Sequence, residues 1–532
     1  MGRKILFITT DQQRYDSLGC NGGHIARTPV VDALAASGVN FARAYNQNTV
    51  CMPARSTMLT GQYPRTHGVY ANGVALPLDA PSIAAHLSER AGYRTALLGK
   101  AHFDPAFDPG DQYPENALAA AGATGPLRGF DHVELAAHVP NFGRRAILHY
   151  GRWLIETHGI EATKGFSPLL SADPGGETGA PETAINPIPR DWYHTDWVAD
   201  RTITYLDSLP ADADWFVWMS FPDPHHPWDP PSSELHRVPW RELDLPPGHP
   251  GSADAIAAVL AQKPAHWLAC WEGTWVNREG GPGSYRPQKV SDDSIREINA
   301  MTHVMNELID EACGRVLRRV RERGWDDDTD VFFTTDHGEL QGDFGLIFKG
   351  PFHTDALMRV PLVWRPAPSA AIAPATVTEP VGHLDLAPTF ARIAGVERAE
   401  WMQGDVLPTT AGSGRERVLC EWDSQFTSYG MHMRSIYRDG WLCTAYERST
   451  KGEPTGIDEF LSTFMPDLSA FDSSVEYEGT EGELYDVDAD PHQWRNLWDD
   501  PARRALRDAL VADLYDHLPA AREPRLPVAR PA

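Results

Sequence analysis

The chain has 532 residues, of which 42% are hydrophobic and 23% charged, and its formal net charge is −26. The length predicts one large domain and a smaller one, and the composition excludes a fibre or an extended disordered chain. A surface this acidic repels nucleic acid and anionic lipid, so we expect neither as a partner, and a small anionic substrate would need a local positive site.

The cysteine pattern and the apolar runs bear on the compartment. Six cysteines lie far apart and none forms a Cys-x-x-Cys pair, so we expect neither a disulfide framework nor a zinc knuckle. The apolar run at 5–8 is too short for a signal peptide, and no stretch approaches the ~20 apolar residues that span a bilayer. We expect a cytoplasmic protein without membrane attachment that begins at or near Met1.

Strand-like and helix-like segments alternate over most of the chain before residue 412. This alternation predicts an α/β fold with a mostly parallel central sheet flanked by helices. Thr28-Pro29 is typical of a helix start and Gly92 of a helix end. The predicted strands are 5–9, 95–98, 215–221, 331–335 and 360–364, and the predicted helices are 28–38, 81–90 and 292–323.

Two stretches rich in glycine and proline, 105–190 and 245–290, are predicted to be loops inserted into a catalytic domain at 1–411. In the second stretch, tryptophans recur every four residues, which suits one packed face of a helix. The alternative is that they line a pocket for a hydrophobic alcohol. They are Trp267, Trp271 and Trp275.

The pattern changes after about residue 412. Segments 434–437 and 441–446 flank Asp439-Gly440, which predicts a hairpin. An amphipathic helix is predicted at 501–518. We predict a small α+β C-terminal domain at 412–532. The C-terminal tail of this domain is compatible with a homo-oligomer.

Charged or imidazole side chains follow four predicted strands. Because the carboxyl ends of parallel strands form the ligand crevice of such a sheet, we expect these groups to converge. Each alone could be an ordinary core or surface residue, but four at one edge favour a site. In strand order they are Asp11-Gln12, Lys100 with His102, His225-His226, and Asp336-His337.

Part of this set has the donors of a metal site. Asp11, Gln12, Asp336 and His337 offer three oxygens and one imidazole, which suit a hard divalent cation better than zinc. Calcium is the first expectation, with manganese and magnesium as alternatives. The alternative without a metal is that Asp336 caps the next segment and Asp11 begins a turn.

Cys51 is the candidate nucleophile. Pro53 suits the first turn of a short helix that Gly61 ends, so Cys51 lies at a helix N-terminus, where an anion is favoured. With Arg55 nearby, Cys51 is a candidate activated thiol. The alternative is a buried structural cysteine.

The pattern Cys51-x-Pro53-x-Arg55, continued by Thr60-Gly61, resembles the signature of type I sulfatases in the alkaline phosphatase superfamily. Gln12, where many sulfatases have a second acid, resembles the branch that includes choline sulfatases and phosphonate monoester hydrolases, close to arylsulfatases. The resemblance implies an alkaline-phosphatase-like fold. Other landmarks of the family cover almost the whole chain, at 28–38, 63–68, 99–100, 336–339, 359–362 and 483–497.

The resemblance also implies roles for individual residues. Cys51 would be oxidised to formylglycine by a formylglycine-generating enzyme, and its hydrate would be the nucleophile. Arg55 would hold that residue, and His102, of a Lys-x-His pair with Lys100, would be the base. The metal would be held by Asp11, Gln12, Asp336 and His337. Substrate contacts would come from His225 or its neighbour His226, from Lys349 and from Asn72, while the role of His353, where relatives often have tyrosine, stays open.

These features predict a metal-dependent sulfuric ester hydrolase that acts on a small anionic ester. The Lys-x-His pair favours sulfate, because phosphonate hydrolases of this branch have Tyr and Thr there. Gln12 and Asn72 keep open a phosphonate monoesterase or phosphodiesterase with the same nucleophile, and one site could serve both. A non-catalytic anion-binding scaffold would require an unmodified Cys51. The sequence does not identify the alcohol.

Overall fold

A computed structural model describes residues 2–106, 108, 110–169, 173–277, 285–424, 430–450 and 475–528. Among these residues, no helix combines the length and the apolar character needed to cross a bilayer. The helices are α1 Pro29–Ala36, α2 Cys51–Thr60, α3 Pro64–His67, α4 Ile83–Ala91, α5 Pro114–Ala121, α6 Leu148–His158, α7 His194–Ser208, α8 Ala253–Leu260, α9 His266–Glu272, α10 Asp292–Glu322, α11 Asp355–Met358, α12 Leu386–Ile393 and α13 Arg504–His517.

The strands form one large sheet and several small ones. They are β1 Lys4–Thr10, β2 Val39–Phe41, β3 Ala44–Tyr45, β4 Arg94–Gly99, β5 His132–Leu135, β6 Asn141–Phe142, β7 Arg145–Ala146, β8 Pro174–Gly175, β9 Ala180–Pro181, β10 Trp215–Ser220, β11 Thr329–Thr335, β12 Leu362–Arg365, β13 Ala375–Val377, β14 Val381–Gly382, β15 Arg417–Asp423, β16 His432–Arg438, β17 Trp441–Tyr446 and β18 Gly482–Asp486.

The central sheet has eight strands in the order β13-β2-β12-β11-β1-β10-β4-β5. The pairs from β11 through β1, β10 and β4 to β5 are all parallel, whereas β12 is antiparallel to both of its neighbours. The predicted α/β fold with a mostly parallel sheet is therefore confirmed. The strand predicted at 360–364 is present as Leu362–Arg365, but it runs against its neighbour.

Both faces of this sheet are covered, as its continuous apolar strands require. Along β1, Ile5 and Phe7 face a core that includes residues of α4 and α12, while Leu6 and Ile8 face a core built with α1, α7 and α10. This alternation is the two-residue period of a strand. The sheet is thus a rigid middle layer from which the loops at its carboxyl edge project.

Register places the ends of the central strands at one level. Thr10 pairs with Thr335, and Ser220 pairs with both Thr9 and Gly99. Gly99 has a φ of +106°, and a Cβ there would come within 1.7 Å of the Ser220 carbonyl oxygen, so only glycine fits. The residues after β1, β4, β10 and β11 therefore leave the sheet side by side.

The two glycine- and proline-rich stretches contain regular structure. Within 105–190 lie α5, β5 and α6, and β5 adds to the central sheet beside β4. Within 245–290 lie α8 and α9, and the three tryptophans are buried, with Trp267 packed on Phe344 and Phe352. These tryptophans therefore have the predicted packing role and do not line a pocket for an alcohol. Residues 170–172 and 278–284 of the two stretches lie outside the described part of the chain.

A separate antiparallel sheet, β15-β16-β17-β18, follows the central one. Its middle hairpin turns at Asp439-Gly440, whose φ values of 51° and 80° suit the tight turn predicted there. α13 packs on this sheet through Leu510 and Leu514, near the predicted position. The predicted domain boundary at 411/412 stays a prediction.

Candidate active site

One buried arginine joins the ends of four strands. Arg55, on the second turn of α2, donates from Nε to Asp336 Oδ2 at 2.8 Å and from Nη2 to Asp11 Oδ2 at 3.1 Å. Its Nη1 donates to the Lys100 carbonyl and to Ser220 Oγ, both at 2.9 Å. Burial disfavours its charged form, yet the two carboxylates raise the pKa of Arg55. This guanidinium therefore holds the sheet edge together.

Cys51 is the first residue of α2, as predicted. Its Sγ lies 3.2 Å from His337 Nε2 and 3.7 Å from Asp11 Oδ1. Asn72 supports this helix start, because its Oδ1 accepts the main-chain N–H of Met52 at 3.0 Å. Burial, and then the Asp11 carboxylate, raise the pKa of the Cys51 thiol to about 11. Burial thus favours the neutral thiol in the unmodified residue, and the candidate activated thiol stays a prediction.

Three of the predicted metal ligands surround Cys51. Ligand atoms of Asp11, Cys51, Asp336 and His337 all lie within 4.8 Å of one another and are buried. Ligands held at about 2.3–2.6 Å by one calcium ion are up to about 5 Å apart, so the spacing fits. His337 Nδ1 donates to the Gly338 carbonyl at 2.9 Å, which leaves Nε2 as a lone-pair donor toward the cluster.

Gln12 lies beside this set but its side chain is engaged elsewhere. It has a left-handed φ of 63°, and its main-chain N–H donates to Asp336 Oδ1 at 3.0 Å. Its Oε1 accepts from Lys349 Nζ at 2.5 Å, and its Nε2 contacts Glu339 Oε2. Glu339, which lies in the family landmark at 336–339, therefore orients Gln12, and the Gln12 amide links the metal set to Lys349.

Two buried lysines face the same space. Lys100 Nζ contacts Asp11 Oδ2 and lies 2.8 Å from His138 Nε2. Lys349 Nζ lies 2.5 Å from His225 Nε2. Burial alone would raise the pKa of Asp11, but nearby cations bring this pKa well below its ordinary value, and Lys100 has the largest effect among them. The lysines can therefore supply positive charge where an anion would bind.

His102 lies on the loop after β4 in a left-handed conformation with a φ of 59°. Glu115 at the start of α5 supports this loop by accepting the main-chain N–H groups of Phe103 and Asp104 at 2.8 and 3.1 Å. Neither ring nitrogen of His102 has a hydrogen-bond partner among the described residues. Burial, and next Lys100, lower the pKa of His102 well below its ordinary value, so the ring is a neutral proton acceptor.

The remaining predicted residues are placed differently. His226 stacks on His225 with ring centroids 4.0 Å apart, and its Nδ1 contacts Glu182 rather than a lysine. His353 is fully buried, and its Nδ1 lies 2.6 Å from Ser435 Oγ of the antiparallel sheet. The structure therefore brings His225 into the polar cluster, turns His226 toward Glu182, and directs His353 toward the second sheet.

His138 is a site residue that sequence reasoning missed. It follows β5, and its ring stacks on that of His225 with centroids 3.9 Å apart. The strand before His138 is short and lies in a stretch rich in glycine and proline. Because that stretch was predicted to be a loop, neither the strand nor His138 was predicted. The alternation in His132–Leu135, followed by an imidazole, was the available signal.

Comparisons with known proteins bear on the family and the fold. The family described as Sulfatase matches residues 3–396. The chain is 26% identical over 526 residues to the uncharacterized sulfatase YidJ of Escherichia coli K12, covering 98% of this chain and 88% of the relative. It is 27% identical over 373 residues to an arylsulfatase of Clostridium perfringens, covering 68% of each. The solved phosphonate monoester hydrolase SpPMH from Silicibacter pomeroyi superposes with a TM-score of 0.72 at 23% identity, covering 98% of this chain and 96% of that one.

Proposed function

The chain belongs to the sulfatase family, and we propose that it hydrolyses a sulfate monoester through a formylglycine made from Cys51, with a divalent metal beside it. One observation supports the proposal most. Cys51 begins a helix between a buried carboxylate–imidazole set and two buried lysines. A nucleophile there has residues that could hold a metal cation on one side and two lysines on the other, and attack on an anionic ester requires such positive charge.

The metal would be held by Asp11, Asp336 and His337, with Gln12 next to them. Calcium suits this donor set best. When bound, such a cation supplies Lewis-acid stabilisation of sulfate oxygens and acidifies a hydroxyl of residue 51. Without it, the carboxylates of Asp11, Asp336 and Glu339 formally balance Arg55, Lys100 and Lys349. A dication therefore gives the pocket the local positive charge that an anionic substrate needs in a chain of net charge −26.

The hydrated aldehyde would carry two hydroxyls on one carbon. We propose that one, deprotonated, attacks sulfur and displaces the alcohol, leaving a sulfate ester on residue 51. His102 then accepts the proton of the second hydroxyl, the carbonyl re-forms, and the bond to sulfate breaks. The unpartnered, neutral ring of His102 supports this role.

We propose that Lys349 is the source of the proton for the departing alcohol, and the direction of its hydrogen bond supports this. An ammonium group only donates, so Lys349 Nζ donates to His225 Nε2 at 2.5 Å. The other ring nitrogen of His225, Nδ1, contacts the His226 carbonyl. Because a carbonyl oxygen only accepts hydrogen bonds, Nδ1 carries the ring proton. Neutral His225 therefore has no proton to give from Nε2, and Lys349 supplies it, directly or through His225.

Maturation would require a formylglycine-generating enzyme as a transient partner. The cytoplasmic location and the homo-oligomer stay predictions. The alcohol also stays open, because the buried tryptophans of α9 belong to a packed core.

Phosphonate monoester hydrolysis is the second candidate, favoured by the Asp11-Gln12 pair. We expect kcat/KM for 4-nitrophenyl sulfate to exceed that for 4-nitrophenyl phenylphosphonate by about 10-fold or more, a difference of about 1.4 kcal/mol in activation free energy. The reason is the Lys-x-His pair, Lys100 and His102, because phosphonate hydrolases of the branch that this chain resembles have Tyr and Thr there. Steady-state assays of both esters on one enzyme batch would measure this, and a higher value for the phosphonate would make the second candidate the function.

A further inference from the structure

His138 has no part in the proposed reaction, yet it lies among imidazoles and cations that do. Its side chain is 8% exposed. Nε2 lies 2.8 Å from Lys100 Nζ and 4.0 Å from Asp11 Oδ2. Its ring stacks on His225, at an interplanar angle of 17°. The edge strand β5 delivers it at the same level of the sheet as the other site residues.

A second metal is the first explanation to weigh. Ligand atoms of Asp11, His138 and His225 lie within 4.8 Å of one another, as the ligands of one ion do. However, Lys100 Nζ contacts both Asp11 and His138, and Lys349 Nζ contacts His225 Nε2. The ammonium groups of Lys100 and Lys349 thus occupy the lone pairs that a second metal ion would need, and their positive charge would repel such an ion. The geometry favours a support for the lysines.

The direction of the hydrogen bond fixes the state of the ring. Lys100 can only donate, so His138 Nε2 accepts and its neutral ring carries the proton on Nδ1. The Lys100 ammonium has three N–H bonds. Asp11 and His138 take two of them in the described structure, which leaves one to reach a substrate oxygen.

We propose that His138 is a positioning residue for Lys100. Its Nε2 accepts a second N–H of the ammonium that contacts Asp11, and these two contacts fix the direction of the third N–H, toward the sulfate group. Stacking on His225 fixes the ring that accepts this bond. The inference rests on the proposed role of Lys100 in binding the sulfate.

Two amide substitutions separate the functions of the ring nitrogens. A glutamine side chain can place its oxygen near the position of Nε2, whereas asparagine reaches only the position of Nδ1. We expect His138→Asn to lower kcat/KM for 4-nitrophenyl sulfate by about 10–100-fold, the usual cost of losing a group that orients an active-site residue. His138→Gln should recover most of that loss. His132→Gln, which changes a partly exposed histidine on the strand that precedes His138, is the matched control and should behave as wild type.

A double-mutant cycle with Lys100→Ala is the deciding test. If His138 acts through Lys100, adding His138→Asn to Lys100→Ala causes little further loss, so the two fold-changes do not multiply. Multiplying fold-changes, or a His138→Gln variant as impaired as His138→Asn, would overturn the inference. Failure of the proposed function looks different, because wild type would not hydrolyse the sulfate or Lys100→Ala would not impair it.

Discussion

Protein carrying Cys51→Ser, purified and assayed with added calcium, is expected to release one equivalent of alcohol from an aryl sulfate and then stop. Serine has one hydroxyl, so the sulfate ester formed on it lacks the second hydroxyl from which His102 could take a proton. Steady-state turnover should fall by about 10³-fold or more, as for other nucleophile replacements. Rapid-quench measurement of released alcohol, with intact mass of the sulfated protein, would detect the trapped ester.

Two controls give this experiment its meaning. Cys51→Ala should show neither turnover nor the single-equivalent release, because no oxygen remains to attack sulfur. Cys20→Ser changes a half-buried cysteine that is not part of the cluster and should retain turnover. A Cys51→Ser variant that keeps more than about a tenth of wild-type steady-state turnover would contradict the two-hydroxyl mechanism.

Replacing Arg55 by methionine is expected to reduce both activity and stability. The substitution leaves Asp11 and Asp336 buried without their main shared cation. Breaking such a buried pair costs about 3–5 kcal/mol in the free energy of unfolding. Because a bound dication can partly replace the lost charge, removing metal with a chelator should lower the unfolding midpoint further in Arg55→Met than in wild type.

The matched control is Arg434→Met. Arg434 is also buried, but it pairs with Asp423 at 2.7 Å in the antiparallel sheet. Its loss should destabilise the protein by a similar amount without changing the response to chelator. Urea unfolding with and without chelator would measure all three proteins. Equal chelator responses in Arg55→Met and wild type would show that the two carboxylates do not share a metal.

Much of the site could be predicted because apolar strands and their carboxyl ends are local features. The run from Ile5 to Ile8 identifies β1, and Asp11-Gln12 follows directly. The structure adds the physical reason for convergence, since Arg55 binds the ends of four strands at once. The direction of β12 was not predictable, because an apolar run looks the same whichever way it pairs.

The residues that were missed act through contacts distant in sequence. His138 and Glu115 lie in a stretch whose glycines and prolines predict loops, although β5 and α5 form there. His353 is close to Lys349 in sequence, yet its side chain bonds to Ser435 in the second sheet. Neither spacing nor composition carries information about such partners.

The most direct test of the central proposal is peptide mass spectrometry at residue 51, on protein co-expressed with a formylglycine-generating enzyme. Trypsin cleaves after Arg43 and Arg55, so the informative peptide is 44–55. Conversion of CH₂–SH to an aldehyde lowers its mass by about 18 Da, and we predict that this form accounts for the active fraction. Full aryl sulfate turnover by protein whose peptide retains an unmodified thiol would contradict the formylglycine mechanism.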